Sequence, residues 1–155
     1  MPDTSPSYKI IQAVEVTQEL AQAARRLIPQ LTRINPPPTS AELVRMLSDG
    51  TSILFIAQDQ HPAGEMIIGL ATLVLYRVPT GMRAIIEDLV VDEKTRGRGI
   101  GEALTRACLE WAERAGCPQV VLTSNPGREA ANRLYQRMGF EVRKTNVYRY
   151  RFPKG

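Results

Sequence analysis

At 155 residues, with 43% hydrophobic and 23% charged side chains, the chain has the composition of one soluble globular domain with a sizeable core. Its longest apolar run, residues 66–76, is interrupted by Gly69 and Thr72 and is too short for a membrane span. The first seven residues are polar and lack the apolar core of a signal peptide. We therefore expect a disordered tail over residues 1–7, a single domain over residues 8–155, a cytoplasmic location and no membrane partner.

The net charge of +4 is distributed unevenly along the chain. Residues 1–95 carry eight Lys and Arg against eleven Asp and Glu, whereas residues 96–155 carry twelve against five. The basic part suits a polyanionic ligand. Nucleic acid is not expected, because three Phe, one Trp and five Tyr offer few platforms for stacked bases. No metal is expected, since Cys108 and Cys117 are the only cysteines and there is one histidine; free thiols fit a reducing compartment.

The chain opens with a predicted strand and an amphipathic helix. Residues 8–16 read as the strand, and Thr17 can cap a helix that runs to about Arg33. Pro29 interrupts the helical pattern, so we predict a kink or break near Ile28.

The next elements are a short helix and three strands. Thr39 and Glu42 form a capping box for the helix. The predicted strands follow at residues 51–58, 65–78 and 82–91, with a Pro/Gly turn at residues 60–64 between the first two.

Two helices, a short strand and a hairpin complete the chain. The predicted ranges are a helix from residue 100 to 115, a strand at 119–123, a helix at 126–138 capped by Asn125, and paired strands at 140–144 and 146–152. The order β-α-α-β-β-β-α-β-α-β-β indicates an α/β (α+β) fold with a mixed central sheet and helices on both faces. The edge strand at the carboxyl end is compatible with a homodimer.

The glycine-rich turn at residues 96–101, Arg-Gly-Arg-Gly-Ile-Gly, lies between a predicted strand and a predicted helix. Such a turn leaves main-chain N–H groups unpaired at the positive end of a helix dipole, which suits phosphate. It is not a Walker loop, because Glu102 and Ala103 follow Gly101. Nor does the glycine spacing fit the dinucleotide fingerprint. A tight turn with glycines for steric reasons alone is the alternative.

The Arg-x-x-Gly-x-Gly spacing of this turn resembles the pyrophosphate loop of the GNAT superfamily, the acyl-CoA-dependent N-acyltransferases. A second segment, residues 131–140, is similar to the family's Asn-x-x-(Phe/Leu)-Tyr-x-x-x-Gly-Phe pattern. The element order also matches the GNAT fold. The resemblance implies acetyl-CoA as co-substrate, with Asn132 near pantetheine and Tyr135 near the thioester sulfur.

The resemblance extends to the strand before the turn, where the family's fourth and fifth strands splay and pantetheine completes the ladder. Backbone groups of Leu89 and Val91 would take that role. The full set of residues implied for cofactor contact is Leu89, Val90, Val91, Arg96, Gly97, Arg98, Gly99, Ile100, Gly101, Glu102, Asn125, Asn132 and Tyr135.

Glu87 and Asp88 are the candidate bases. Strict alternation puts Glu87 on the face of Leu89 and Val91 and Asp88 on the opposite face, and a bulge would reverse this assignment. Glu-Asp followed by three apolar residues resembles the glucosamine-phosphate acetyltransferases, in which these carboxylates face the acceptor. A rim charge paired with arginine is the alternative for either residue.

Two positions concern the acceptor. Thr123 stands where the ribosomal-protein N-terminal acetyltransferases carry a glutamate, which favours a small free amine. Tyr148 lines the acceptor pocket from the last hairpin or packs in the core.

The sequence therefore predicts an acetyl-CoA-dependent N-acetyltransferase that joins its substrates directly in a ternary complex, with Tyr135 as acid and Glu87 or Asp88 as base. Protein acetylation, on lysine or the N-terminus, is one alternative. A non-catalytic acyl-CoA-binding regulatory module is the other.

Overall fold

The structure, a computed structural model, describes residues 7–61 and 64–154. In chain order its elements are β1 (Tyr8–Ala13), α1 (Gln18–Leu31), α2 (Ser40–Ser48), β2 (Ser52–His61), β3 (Gly64–Val78), β4 (Gly81–Val91), α3 (Ile100–Arg114), β5 (Val120–Val121) and α4 (Glu129–Arg137). They belong to two compact units, Met1–Thr123 and Ser124–Gly155. The predicted tail, apart from Ser7, and the tip of the predicted turn at residues 60–64 lie outside the described residues.

The first unit is built on a mixed sheet with strand order β1-β2-β3-β4-β5. The first four strands are antiparallel to their neighbours, and β5 runs parallel to β4. Two strands are shorter than predicted, since β1 ends at Ala13 and β5 contains only Val120 and Val121. The pairing of β4 with β5 is therefore confined to Ala84 and Ile85.

Helix α1 covers one face of this sheet. Its buried side chains Leu20, Ala23 and Leu27 share a cluster with strand residues that include Leu54 and Val90. Burial of such side chains stabilises the fold by roughly 1.5–3 kcal/mol for each large aliphatic group. The face defined by this cluster is called the α1 face below.

Helix α3 packs on the opposite face, called the α3 face. Gly69 of β3 allows close approach, because a Cβ atom there would lie 3.0 Å from Leu104 Cδ1 and 3.2 Å from Ile100 Cγ2. Further along the helix, the rings of Phe55 and Trp111 meet edge to face at 6.1 Å. A mixed sheet with helices on both faces is thus confirmed. None of the helices in the described part of the chain is long and apolar enough to be a membrane span.

Of the kink or break predicted near Ile28, the break does not occur. The helix continues through Pro29 to Leu31, and the Thr32 N–H donates to the Ile28 carbonyl at 3.0 Å. Proline removes one helical N–H donor, but the buried stripe that ends at Leu27 holds the last turn against the sheet. Tertiary packing therefore outweighs the local signal.

Two predictions in the second unit are also wrong. Helix α4 begins at Glu129 rather than residue 126, because Asn125 Oδ1 accepts the Gly127 N–H at 2.8 Å and forms a turn instead of a helix cap. The predicted hairpin over residues 140–152 is absent, since residues 140–154 contain no strand or helix. Strand propensity alone does not form a strand without a surface to pack on.

Candidate active site

The glycine-rich turn has the backbone geometry that a main-chain anion site requires. Gly97 has φ +81° and Gly99 has φ +76°, in the left-handed region that favours glycine. Gly99 is also the N-cap residue of α3 and supplies no side chain to cap the helix. The first N–H groups of α3 therefore face outward at the positive end of a 15-residue helix.

The amides of this turn are open to a ligand. Among the described residues, those of residues 97–100 donate to no backbone carbonyl outside the regular elements. The first backbone bond of the helix runs from the Ala103 N–H to the Gly99 carbonyl at 3.0 Å. A set of convergent N–H donors at a helix N-terminus can bind a phosphate or diphosphate group.

The two arginines of the turn are used differently. Arg96 is exposed and has no ion pair in the part of the chain that the structure describes. The guanidinium of Arg98 forms a two-pronged ion pair with Asp59, at 3.0 and 2.9 Å. The resemblance implied cofactor contact for both arginines, but the Arg98 side chain is occupied by Asp59.

The carboxyl end of β4 provides an open sheet edge beside this turn. Because β5 pairs only with Ala84 and Ile85, the β4 segment from Ile86 to Val91 has no strand partner on the β5 side among the described residues. Unpaired strand groups of this kind can accept an extended ligand as an added strand or stabilise an oxyanion. The predicted contact residues Leu89, Val90 and Val91 all lie on this segment.

A β-bulge interrupts β4 at the candidate bases. Leu70 is opposite Val90 and Thr72 is opposite Glu87, so Asp88 and Leu89 together face Ala71. Asp88 has φ +49°, the one non-glycine residue with positive φ in the described chain. Such a bulge shifts the alternation of side chains by one residue.

The bulge overturns the assignment of Glu87 made by strict alternation. Glu87 is opposite Thr72, which in turn is opposite Leu54 of the α1-face cluster. Val91 is opposite Gly69, which lies against α3. Glu87 therefore lies on the α1 face and does not share a face with Val91.

Both carboxylates are exposed at this edge. Partial removal from water raises the pKa of Glu87, and the negative charge of adjacent Asp88 raises it further. A carboxylate with a raised pKa is a stronger proton acceptor. Glu87 thus has the character expected of a general base.

In the second unit, Asn132 stabilises the turn that precedes its helix. Its side-chain amide donates to the Asn125 carbonyl at 2.9 Å, while the Asn125 side chain holds Gly127. Both asparagines predicted to contact the cofactor are therefore brought together.

Tyr135 is buried on α4 and packs edge to face against Phe140, with ring centroids 5.7 Å apart. Burial raises the pKa of its hydroxyl, and the charge of Arg128 opposes this shift. The hydroxyl consequently stays protonated at neutral pH and can serve as a proton donor.

Tyr148 is 88% exposed and lies in the segment that was expected to form a hairpin. Its hydroxyl is 3.2 Å from Asn146 Nδ2. The alternative of core packing is therefore wrong for this residue.

Four side chains that hold the turn were not found from the sequence. Arg26 of α1 pairs with buried Asp92 at the end of β4 and also donates to the Ile67 carbonyl. On the other side of the sheet, the Arg98 guanidinium donates to the Asp59 carboxylate and lies over the ring of Tyr8. These partners lie at least 39 positions apart in the sequence, so local spacing could not connect them.

A fifth unpredicted group is the Ser124 hydroxyl. It is buried, and its oxygen has no hydrogen-bond partner among the described residues. A buried polar atom without a partner is costly unless a ligand satisfies it.

Comparison with known proteins gives one family match. The family model described as "Acetyltransferase (GNAT) family" matches residues 16–140, most of the chain. The chain is 28% identical over 140 residues to glucosamine 6-phosphate N-acetyltransferase 1 of Oryza sativa, which covers 85% of this chain and 83% of the rice protein.

Two further matches differ in extent. N-alpha-acetyltransferase 30 of Schizosaccharomyces pombe is 37% identical over 71 residues, or 46% of this chain and 47% of the yeast protein. A solved structure of a putative acetyltransferase from Agrobacterium tumefaciens superimposes with a TM-score of 0.78 at 25% identity, over 92% of this chain and 99% of that one. The structural likeness to the Agrobacterium protein therefore extends over nearly the whole chain, whereas the sequence likeness to the N-alpha-acetyltransferase extends over less than half of it.

Proposed function

Since the chain belongs to the GNAT family of acetyl-CoA-dependent N-acetyltransferases, we propose that its acceptor is the primary amine of a small molecule. The observation that carries acetyl transfer at this site is the open set of amides at residues 97–100 beside the unpaired edge of β4. The likeness to the rice glucosamine 6-phosphate N-acetyltransferase supports a small acceptor over a protein.

The donor is held by the main chain. The amides around Gly97, Gly99 and Gly101 bind the diphosphate of acetyl-CoA, with Arg96 adding charge from the surface. The free edge of β4 at Leu89–Val91 receives the extended pantetheine arm. Backbone groups bind both the diphosphate and the pantetheine arm, so the backbone conformation of the glycines matters more for acetyl-CoA binding than the identity of the side chains.

The reaction is a direct transfer in a ternary complex. The amine nitrogen attacks the thioester carbon, the C–N bond forms, and the C–S bond breaks to release the thiolate of coenzyme A. Tyr135 donates its hydroxyl proton to that thiolate, and solvent restores the proton afterwards. A free N–H of the β4 edge stabilises the oxyanion.

The proton of the amine goes to Glu87, directly or through a water molecule. Its raised pKa supports this role. Asp88 forms the bulge that directs Glu87 and keeps its pKa raised. Asn125, Asn132 and Glu102 complete the proposed donor contacts, and Tyr148 contributes to the acceptor side.

Acetylation of a protein N-terminus is the second candidate. It is favoured by one observation, the 37% identity to the yeast N-alpha-acetyltransferase over 71 residues. Thr123, in place of a glutamate, is the local feature against it. Thiol release from acetyl-CoA with a panel of amines and aminosugars, compared with short peptides, separates the two candidates.

We also propose a homodimer and a cytoplasmic location. Val147, Tyr150 and Phe152 are 77–85% exposed, so the last segment presents an apolar stripe of the kind that a second subunit covers. Both cysteines are free, which supports a reducing compartment. Light scattering during gel filtration tests the first point: a mass near 17.3 kDa at micromolar concentration would contradict it.

The donor site is tested by a pair of glycine variants. Gly99→Ala introduces a Cβ at φ +76°, where alanine is strained, and reshapes the loop. Gly116→Ala is the matched control, because Gly116 has φ +78° and lies after α3, outside the loop. We expect Gly99→Ala to weaken acetyl-CoA binding at least tenfold by calorimetry, while Gly116→Ala keeps wild-type affinity at a similar loss of stability. Equal affinity in both variants would contradict the donor site.

A further inference from the structure

Arg98 anchors the centre of the glycine-rich turn to the first two strands. Its Nη1 and Nη2 atoms donate to the two carboxylate oxygens of Asp59, at 3.0 and 2.9 Å, and Nη2 also donates to the Ser7 hydroxyl. The guanidinium carbon lies 5.9 Å from the centre of the Tyr8 ring. Bidentate pairing and stacking on an aromatic ring fix both the position and the plane of a guanidinium.

The receiving groups are brought together by the sheet. Tyr8 is opposite Asp59 in the pairing of β1 with β2, and the Gln60 N–H donates to the Ser7 carbonyl at 2.8 Å. The side chains of Arg98 and Asp59 are 32% and 18% exposed, so the pair is partly shielded from water. The anchor therefore rests on ordered strands, outside the turn itself.

Arg98 stands between the two glycines that have left-handed backbone. With Gly97 and Gly99 on either side, the Arg98 main chain has little intrinsic preference to keep it in place, since glycines are the most permissive residues. Its side chain makes the connections that hold this point of the loop to the sheet. Loss of the anchor frees the loop to change the direction of its amides.

We propose that Asp59 is a positioning residue for acetyl-CoA binding: it acts through Arg98 and touches neither substrate. The proposal rests on the proposed function of the turn as the diphosphate site. Asp59 accepts the hydrogen bonds of the Arg98 guanidinium. The Tyr8 hydroxyl lies beside Gly99, and burial raises the pKa of this hydroxyl.

Charge and positioning predict opposite effects when Asp59 is neutralised. Asp59→Asn removes a negative charge near an anion site, so electrostatics alone predicts tighter binding of acetyl-CoA. Release of the Arg98 guanidinium toward the diphosphate would act in the same direction. Loss of positioning predicts weaker binding, because the amides are no longer held in place before the ligand arrives.

Calorimetry and steady-state kinetics on Asp59→Asn therefore decide between them. We expect the Kd and KM for acetyl-CoA to rise about tenfold, with kcat at saturating acetyl-CoA and the KM of the amine within twofold of wild type. Equal or tighter acetyl-CoA binding would overturn the proposal. An equal fall in kcat/KM for acetyl-CoA and for the amine would also overturn it, because that pattern indicates general damage to the fold.

Arg98→Lys gives an independent test should Asp59→Asn fold poorly. Lysine keeps the positive charge but lacks the planar fork that pairs with both Asp59 oxygens. Weaker acetyl-CoA binding in this variant supports positioning, whereas wild-type affinity refutes it. Glu129→Gln is the matched control, because it removes a carboxylate from an exposed ion pair with Arg133 and should leave binding unchanged.

The glycine pair separates this proposal from the function on which it depends. If Gly99→Ala weakens acetyl-CoA binding and Asp59→Asn does not, the turn is the donor site and the anchor is unimportant. If neither variant changes affinity while the wild type binds acetyl-CoA, the donor site itself is wrongly assigned. Weakening in both variants, with normal Gly116→Ala, supports both proposals.

Discussion

The turn at residues 96–101, proposed to bind the acetyl donor, and the segment at residues 140–154, proposed to contribute to the acceptor side, are built in opposite ways. The turn is held by buried and half-buried ion pairs and offers main-chain donors. The segment has no regular structure, and its aromatic side chains, such as Tyr148 and Phe152, are exposed. Binding of acetyl-CoA through main-chain N–H groups needs a backbone that is fixed before the ligand arrives. The proposed acceptor side can instead become ordered when the acceptor binds. The two parts should therefore respond differently to mutation.

The largest expected effect is on turnover. Tyr135→Phe keeps the aromatic ring and its contact with Phe140 but removes the hydroxyl proton. Because positioned proton transfer contributes on the order of 10²–10⁴-fold, we expect kcat to fall by about 10²-fold. Acetyl-CoA affinity, measured by calorimetry, should change less than twofold. Unchanged kcat would remove Tyr135 from the mechanism.

A somewhat smaller effect is expected at the bulge, where the pH profile separates the two carboxylates. As a base, Glu87 must be deprotonated, so kcat/KM should rise with pH through its raised pKa and level off above it. Glu87→Gln should abolish this acid limb and lower activity about 10²-fold at neutral pH.

Asp88→Asn is the control for that experiment, because asparagine tolerates the left-handed backbone at φ +49°. Removal of the Asp88 charge should move the acid limb to lower pH and leave most of the activity. A profile in which Asp88→Asn is inactive and Glu87→Gln keeps its acid limb would assign the base to Asp88 instead.

A substitution at the base of the turn is expected to change the rate of catalysis least. It should clearly lower the stability of the fold. Arg26→Met leaves the buried Asp92 carboxylate without its cation, which should lower the free energy of unfolding by about 3 kcal/mol. Urea titration measures this change. Arg106→Met is the control, since its ion pair with Glu102 is exposed on α3 and is worth about 0.5 kcal/mol or less. Similar losses in both variants would show that the Asp92 pair has no special role.

The difference between the two regions also explains what could be predicted from the sequence. Gly97 and Gly99 were recognisable because a left-handed turn before a helix imposes a local requirement on residue type. The segment that contains Tyr148 and Tyr150 was predicted to form a hairpin, but strands depend on a packed face that local sequence does not specify.

The same reasoning applies within the candidate site. The carboxylates Glu87 and Asp88 were identified from their position in the strand, yet their faces were not, because one bulged residue reverses the alternation. The partners of Arg98 were not predictable at all, since strand register brings Asp59 to it from 39 residues away.

Gly69 has a consequence for how this enzyme could be retuned. One absent methyl group lets the amino end of α3 seat deeply against β3, where Ile100 and Leu104 already lie at closest approach. A single alanine at this position would require the Ile100 and Leu104 side chains to give way by a few tenths of an ångström. Packing inside the sheet thus sets how closely the amino end of α3 is seated, without any change in the glycine-rich turn itself.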